Sequence, residues 1–297
     1  MPLRNTTIKT LLVLCVSIYP IFSAASFTFH QALESFYKLQ PSLPNAESDG
    51  RTPTLNKKGA TSPTFDYVTL EFLKFAKSKR VLEIGGAYGS VMLEALRRDS
   101  STIYHLNDLD ERHLSIAAFR LQEKIDHREI CMEGLENVRF ISGDITGPSW
   151  NIKKPYDAIL MARVIHFLTP TQINQALTNL YTSLKSGGRV FIIAMTPYVN
   201  RYKPFISEYE RRLKTGNDYP GFVENLRPYV NKAVTTPNQI NSISDGHFMF
   251  LDDVVLSKLF SKSGFKVLES KLMPLSYKSD SWTLDGRENV ILIAEKP

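Results

Sequence analysis

The sequence predicts an α/β protein with a mostly parallel sheet covered by helices on both faces. Three observations predict it. Seven short apolar segments fall at 80–84, 102–107, 138–142, 158–162, 190–194, 266–270 and 290–294, which is the pattern of strands buried on both faces. Amphipathic helical stretches separate most of them, and that alternation favours parallel pairing. The first segment runs straight into a glycine turn and a helix, "RVLEIGGAYGSVMLEAL". A chain of 297 residues with 43% hydrophobic and 22% charged content is long enough for one large globular domain, or one with an insertion.

The first 25 residues stand apart. Arg4 and Lys9 precede "LLVLCVSIYPIF", and Ser23 and Ala25 then occupy the small-residue positions of a cleavage site. This is the three-part layout of a secretory signal peptide, so 1–25 is expected to be removed and the mature protein exported to a periplasm or the exterior. The alternatives are a membrane anchor, for which the run is short and broken by Pro20, and a cytoplasmic start. Cleavage removes Cys15 and leaves Cys131 alone, so no internal disulfide follows. Cys131 is expected to be a packed small residue. The six histidines are scattered and no metal-ligand spacing occurs. A net charge of +6 and a pI near 9.1, without clustering, give no reason to expect a nucleic-acid partner.

Residues 26–64 form an N-terminal helix and polar linker. Phe29, Leu33, Phe36 and Leu39 recur at helical spacing within 27–40, while 41–63 is rich in Pro, Ser, Asn and Gly and reads as a loop. Lys57 and Lys58 read as a solvated pair there. A helix over 65–79 carries Val68, Phe72 and Phe75 on one face. The main domain, 65–297, is interrupted once. An insertion of about 197–250, rich in Tyr, Phe, Arg and Lys, leaves the carboxyl end of a strand, where ligands of such sheets bind. It reads as a lid or substrate platform, or as a solvated elaboration.

A strand feeding a glycine turn into a helix N-terminus offers free N–H groups and close backbone approach. Gly85, Gly86 and Gly89 supply the turn, with Ala87 and Tyr88 between. The spacing is not that of the dinucleotide or Walker fingerprints. Glu83, two residues before Gly85, repels a pyrophosphate and suits a cation. Asp108, at the end of the next strand, can accept from both hydroxyls of a ribose. Asp144, after Gly143 at the end of the third, can accept from the amine of adenine, and Leu109 and Ile145 can sandwich the ring. The ligand read from these residues is an adenosine with a cationic tail and no phosphate.

With these motifs the chain resembles the Rossmann-like, class I S-adenosylmethionine-dependent methyltransferases. "VLEIGGAYG" is similar to their first motif, with Ala87 in place of the middle glycine. "HLNDLDERHLSIA" resembles the second, "FISGDIT" the third, "YDAILMARVIHFL" the fourth, "LKSGGRVFII" the fifth and "FMFLDDVVLSKLFSKSGFKVLES" the closing helix and strand. The likeness spans about 65–296. It implies a three-layer sandwich with a seven-stranded sheet whose last strand is antiparallel, and S-adenosyl-L-methionine as cofactor. It also implies a methionine site at Glu83, Gly85, Gly86, Ala87 and Gly89, a ribose site at Asp108, and a donor site lined by Ala162 and Arg163.

"MARVIH" lacks the tetrapeptide of nucleobase amino-methyltransferases, which leaves a small-molecule or lipid-like acceptor. His166 is the candidate catalytic base, with His247 and Tyr209 behind it; a structural role for His166 is the competing reading. Two other functions stay open: a binding or regulatory module that has lost catalysis, and a nucleotide-cofactor oxidoreductase. The sequence leaves the number of subunits open.

Overall fold

The structure, a computed structural model, describes residues 25–297 except 48–49, 63, 148–149, 151–153, 238–239 and 241–245. The expected signal segment lies outside the described residues but for Ala25. Among the described residues, no helix is long and apolar enough to cross a membrane.

The main sheet has eight strands, one more than expected. In chain order the strands are β1 (Ala25–Thr28), β2 (Thr52–Pro53), β3 (Ala60–Thr61), β4 (Arg80–Ile84), β5 (Ile103–Asp108), β6 (Arg139–Ser142), β7 (Tyr156–Ala162), β8 (Leu184–Met195), β9 (Phe222–Val223), β10 (Phe248–Met249), β11 (Lys266–Met273) and β12 (Asn289–Glu295). The main sheet runs β1-β6-β5-β4-β7-β8-β12-β11. Strands β4 to β8 are mutually parallel. The last strand, β12, is inserted antiparallel between β8 and β11, as the resemblance implies. The additional strand is β1, which pairs antiparallel with β6 from Ala25↔Ser142 to Thr28↔Arg139.

That strand also corrects the first helix. It starts at Phe29, not Phe27, because Thr28 caps it: Thr28 Oγ1 accepts from Gln31 N–H while Gln31 Oε1 accepts from Thr28 N–H. This helix, α1 (Phe29–Leu39), rests on α4 (Glu111–Asp126), where Phe36 stacks on Phe119 at 4.1 Å. Leu39, placed on the packing face by its spacing, is exposed.

The other helices form the two outer layers. One face of the sheet, with Val81, Tyr104, Leu106, Phe140 and Phe191, is covered by α1, α2 (Tyr67–Phe75), α3 (Ser90–Arg98) and α4. The other, with Leu82, Ile84, Ile159, Met161 and Ile192, is covered by α5 (Pro170–Ser183) and α7 (Asp253–Lys262). Burying both faces accounts for the unbroken apolar runs read from the sequence. Cys131, expected to be packed, is exposed, because it falls in the turns between α4 and β6 rather than on either element.

The insertion after β8 folds as a 3₁₀ turn (Asn200–Phe205), α6 (Ile206–Lys214), the β9–β10 pair and a second 3₁₀ turn (Arg227–Tyr229). Tyr198, Tyr202, Phe205, Tyr209, Phe248, Phe250 and Trp282 give it an aromatic core of its own.

Candidate functional site

From β4 the chain steps to β5 and β6 on one side, and then returns to β7 on the other. Ligands of open α/β sheets sit beyond the strand carboxyl ends at such a reversal. A cavity of about 1720 Å³ opens there. That exceeds the ~300–1,000 Å³ of a single small-ligand pocket, and leaves space for two ligands side by side. Glu83, Gly85, Gly86, Ala87, Asp108, Leu109, Asp144, Ile145, Ala162, Arg163 and His166 all line it. Gly89 does not. It ends the turn with φ 71° and begins α3, where a Cβ would stand 2.9 Å from that of Ala117.

The turn admits almost no side chain. A Cβ on Gly85 would lie 2.3 Å from Val164 Cγ2, and one on Gly86 would lie 2.2 Å from Leu106 Cδ1 and 2.7 Å from the Glu83 carboxyl carbon. Gly85 has φ 67°, and Ala87 is itself left-handed at φ 43°, a conformation that is costly for a residue with a Cβ.

Asp108 fixes this turn. Its Oδ2 accepts from Ala87 N–H at 2.9 Å, and its Oδ1 accepts from Asp110 N–H at 3.0 Å. Oδ1 is also 3.0 Å from His113 Nδ1. His113 Nε2 accepts from Leu55 N–H at 3.0 Å, so Nδ1 carries the ring proton and donates to Asp108. His113 therefore ties Asp108 to the segment read as a polar loop. That segment holds the β2–β3 hairpin, which is anchored by Tyr88 Oη donating to Pro53 O at 2.9 Å. Gly59 at its tip faces the Phe167 ring, and Lys57 and Lys58 are exposed, the solvated pair that the sequence suggests, at the edge of the cavity. His113 was missed in the sequence, although a histidine five residues after a strand-end acid, in the first turn of the next helix, points back at that acid.

Glu83 is buried and accepts from Tyr104 Oη at 2.7 Å. Burial pushes its carboxyl up to about 8, the Asp108 charge adds to the rise, and the Tyr104 bond opposes it. A cation nearby would restore the ionised form. Asp144 is exposed at the rim, with Oδ1 accepting from Thr146 N–H at 2.8 Å. Leu109 lies open at the cavity edge, 58% exposed, while Ile145 belongs to the core beneath.

Past the end of β7, Arg163 takes φ 59°. Its Nη1 donates to Asn289 Oδ1 at 2.9 Å, Asp66 Oδ2 is 4.0 Å from Nη2, and Nη2 makes no hydrogen bond. His166 is buried, stacked on Phe248 at 4.9 Å, and its Nδ1 accepts from Met195 N–H at 3.4 Å. Burial, with the Arg163 charge, pushes it down to about 3. A neutral ring whose Nδ1 lone pair is engaged by the backbone is a structural element and a poor base. His247 differs: its Nε2 meets Phe167 O at 2.9 Å, so in the neutral ring Nε2 carries the proton and Nδ1 keeps its lone pair. Tyr209 is fully buried in the aromatic core and does not line the cavity.

Residues 82–190 match a family model described as a methyltransferase domain. No curated protein matches the sequence. Among solved structures, an S-adenosylmethionine-dependent methyltransferase from Methanosarcina mazei is 13% identical with a TM-score of 0.51, covering 78% of this chain and 98% of that one; this likeness is one of fold. TehB from Haemophilus influenzae is 14% identical with a TM-score of 0.49 over 80% of this chain, which spans 64% of TehB's length. A magnesium protoporphyrin IX methyltransferase from Synechocystis PCC 6803, solved with S-adenosylhomocysteine, is 11% identical with a TM-score of 0.49, covering 80% of this chain and 90% of that one.

Proposed function

We propose that this chain, whose residues 82–190 match a methyltransferase-domain model, binds S-adenosyl-L-methionine in the crevice at β4, β5 and β6 and transfers its methyl group to a small-molecule or lipid-like acceptor. The observation that carries the reading is the placing of three carboxylates, Glu83, Asp108 and Asp144, at the carboxyl ends of three adjacent parallel strands around one crevice. That set favours a cationic nucleoside, Glu83 ionising as the cation arrives, and gives a pyrophosphate no cationic partner, which speaks against the oxidoreductase reading. Asp108 faces the ribose hydroxyls, Asp144 the adenine amine, Leu109 the ring, and the 85–87 turn with Glu83 the amino-acid tail.

The donor supplies an electrophilic methyl on a sulfonium. The acceptor lone pair forms the new bond as the carbon–sulfur bond breaks, its electron pair returning to sulfur. The chain's part is alignment and exclusion of water, by Arg163, the β2–β3 hairpin and the aromatic insertion. Where the acceptor must lose a proton, His247 Nδ1 is the base this lining offers.

Calorimetric titration with S-adenosylmethionine, S-adenosylhomocysteine and NAD tests the reading. Saturable 1:1 binding of the first two and none of NAD is expected. Binding of NAD, or of none of the three, overturns it. Export belongs to the same proposal: removal of 1–25 leaves Ser26–Thr28 of β1 paired with β6. The intact mass of protein from native cells should begin at Ser26; a full-length cytosolic species would refute export and leave the methyl-transfer reading standing.

A further inference from the structure

The end of the cavity away from the three carboxylates is lined by Val199, Tyr202, Leu226 and Phe248 from the insertion, and by the 275–282 segment. Within it lies a cation out of balance with its surroundings. Arg201 is only 8% exposed and stands over the Trp282 ring at 4.2 Å. Its Nη2 donates to Ser281 Oγ at 3.4 Å, and its Nε makes no hydrogen bond. Among the described residues no carboxylate stands within ion-pairing distance of it. Trp282, 9% exposed, has an indole N–H that is likewise unpartnered. Both residues line the cavity.

Arg120 and Arg212, two other half-buried arginines, are satisfied. Arg120 donates to Tyr88 O at 2.6 Å and to Ser90 Oγ, and Arg212 pairs with Glu208 at 2.8 Å. The acids on the Arg201 wall are engaged or turned outward. Glu288 accepts from the N–H groups of Leu275, Leu284, Asp285 and Gly286, Glu47 pairs with Arg51, and Asp280 is exposed. A buried guanidinium without an acid is costly, and a buried donor without an acceptor is too. Burial, with Arg51 nearby, holds the Arg201 guanidinium below its ordinary range. One oxyanion placed against this wall would relieve the charge, and the two orphan donors, which lie just beneath the cavity surface, would turn to meet it.

We propose that the acceptor is an amphiphilic acid, with an apolar or aromatic body held by the insertion and an oxyanion, carboxylate or phosphate, held by Arg201 and the Trp282 indole N–H. The assignment rests on the methyltransferase reading for the word acceptor, but the anion site stands without it. Arg201 is then a specificity residue: it selects which molecules enter and leaves donor affinity alone.

The test uses the full chain saturated with S-adenosylhomocysteine, titrated with benzoate, octanoate and phenyl phosphate against the neutral benzamide and octanamide. The acids should bind at least tenfold more tightly than their amides. Arg201→Gln should abolish that preference, Arg201→Lys should restore part of it, and S-adenosylhomocysteine affinity should change less than twofold. Benzoate and octanoate against phenyl phosphate decides between the two oxyanions. Equal binding of acids and amides, or a preference that survives Arg201→Gln, overturns the proposal. Should Arg201→Gln fail to fold, Trp282→Phe keeps an aromatic face under Arg201, removes the N–H, and should weaken the acids severalfold but not the amides. If the chain binds no S-adenosylhomocysteine yet keeps an Arg201-dependent preference for acids, the donor reading fails and the anion site survives.

Discussion

The two ends of the cavity, proposed above as donor and acceptor sites, are built on opposite principles. At the donor end the Asp108 carboxylate is engaged by Ala87 N–H, Asp110 N–H and His113, and these bonds hold the glycine turn in one shape. At the acceptor end Arg201 Nε and Trp282 Nε1 are left without acceptors, and Arg163 Nη2 between the two ends is left the same way. A preorganised network suits a ligand that never varies. Unpaired donors suit a ligand that must supply the missing acceptor, and they reject those that cannot.

The largest expected effect breaks the donor end. Asp108→Ala removes hydrogen bonds from a charged group, each about 1.5–3 kcal/mol, so S-adenosylhomocysteine should bind roughly 10- to 150-fold more weakly. Asp110→Ala takes away an N-cap instead, Asp110 Oδ1 accepting from Arg112 N–H at 3.0 Å. It should cost about 1 kcal/mol of stability with little change in affinity. Paired titrations and melts of the two variants check this; an equal loss of affinity would place the ribose elsewhere.

Next is the protonation of Glu83. Its native carboxyl is raised from 4.5 to about 8, so between those values the native state holds a proton that the unfolded state has lost. Stability therefore falls as pH rises through that window, and is flat in this respect above it. A bound cation favours the ionised form, so donor binding near pH 7 should expel close to one proton. Affinity should then rise with pH by no more than about tenfold per unit up to about 8. Calorimetry in two buffers of different ionisation enthalpy reads the proton directly, and Glu83→Gln should abolish it.

The smallest effect is at Ala87. Its φ of 43° is one that glycine adopts freely, while left-handed geometry costs a residue with a Cβ roughly 1–2 kcal/mol. Ala87→Gly should leave donor affinity within about twofold and raise unfolding stability by up to about 1 kcal/mol, after the added chain entropy of glycine is subtracted. A denaturant melt measures it. Destabilisation would mean the Ala87 methyl, packed near Tyr88 and Ile116, outweighs the strain.

The same contrast explains what could be read in the chain. The proposed donor end is made of strand ends, and each strand announces itself through a local apolar run, so the placing of Glu83, Asp108 and Asp144 at those ends is legible in the sequence. The acceptor end joins Arg201 to Trp282 across 80 intervening positions, and no local pattern links them. The β2–β3 hairpin reads as loop in the sequence because its strands are two residues each; tertiary bonds to Tyr88 and His113 hold it, not propensity. Strand β1 was hidden for a related reason, since four edge residues run directly into a capped helix.

The most direct measurement is a crystal structure of the chain with S-adenosylhomocysteine bound. The account predicts both ribose hydroxyls on the Asp108 carboxylate, the adenine amine at Asp144 with the ring over Leu109, and the amino-acid tail along the 85–87 turn toward Glu83. A nucleoside seated away from Asp108, or a crevice left empty at saturating ligand, would contradict it.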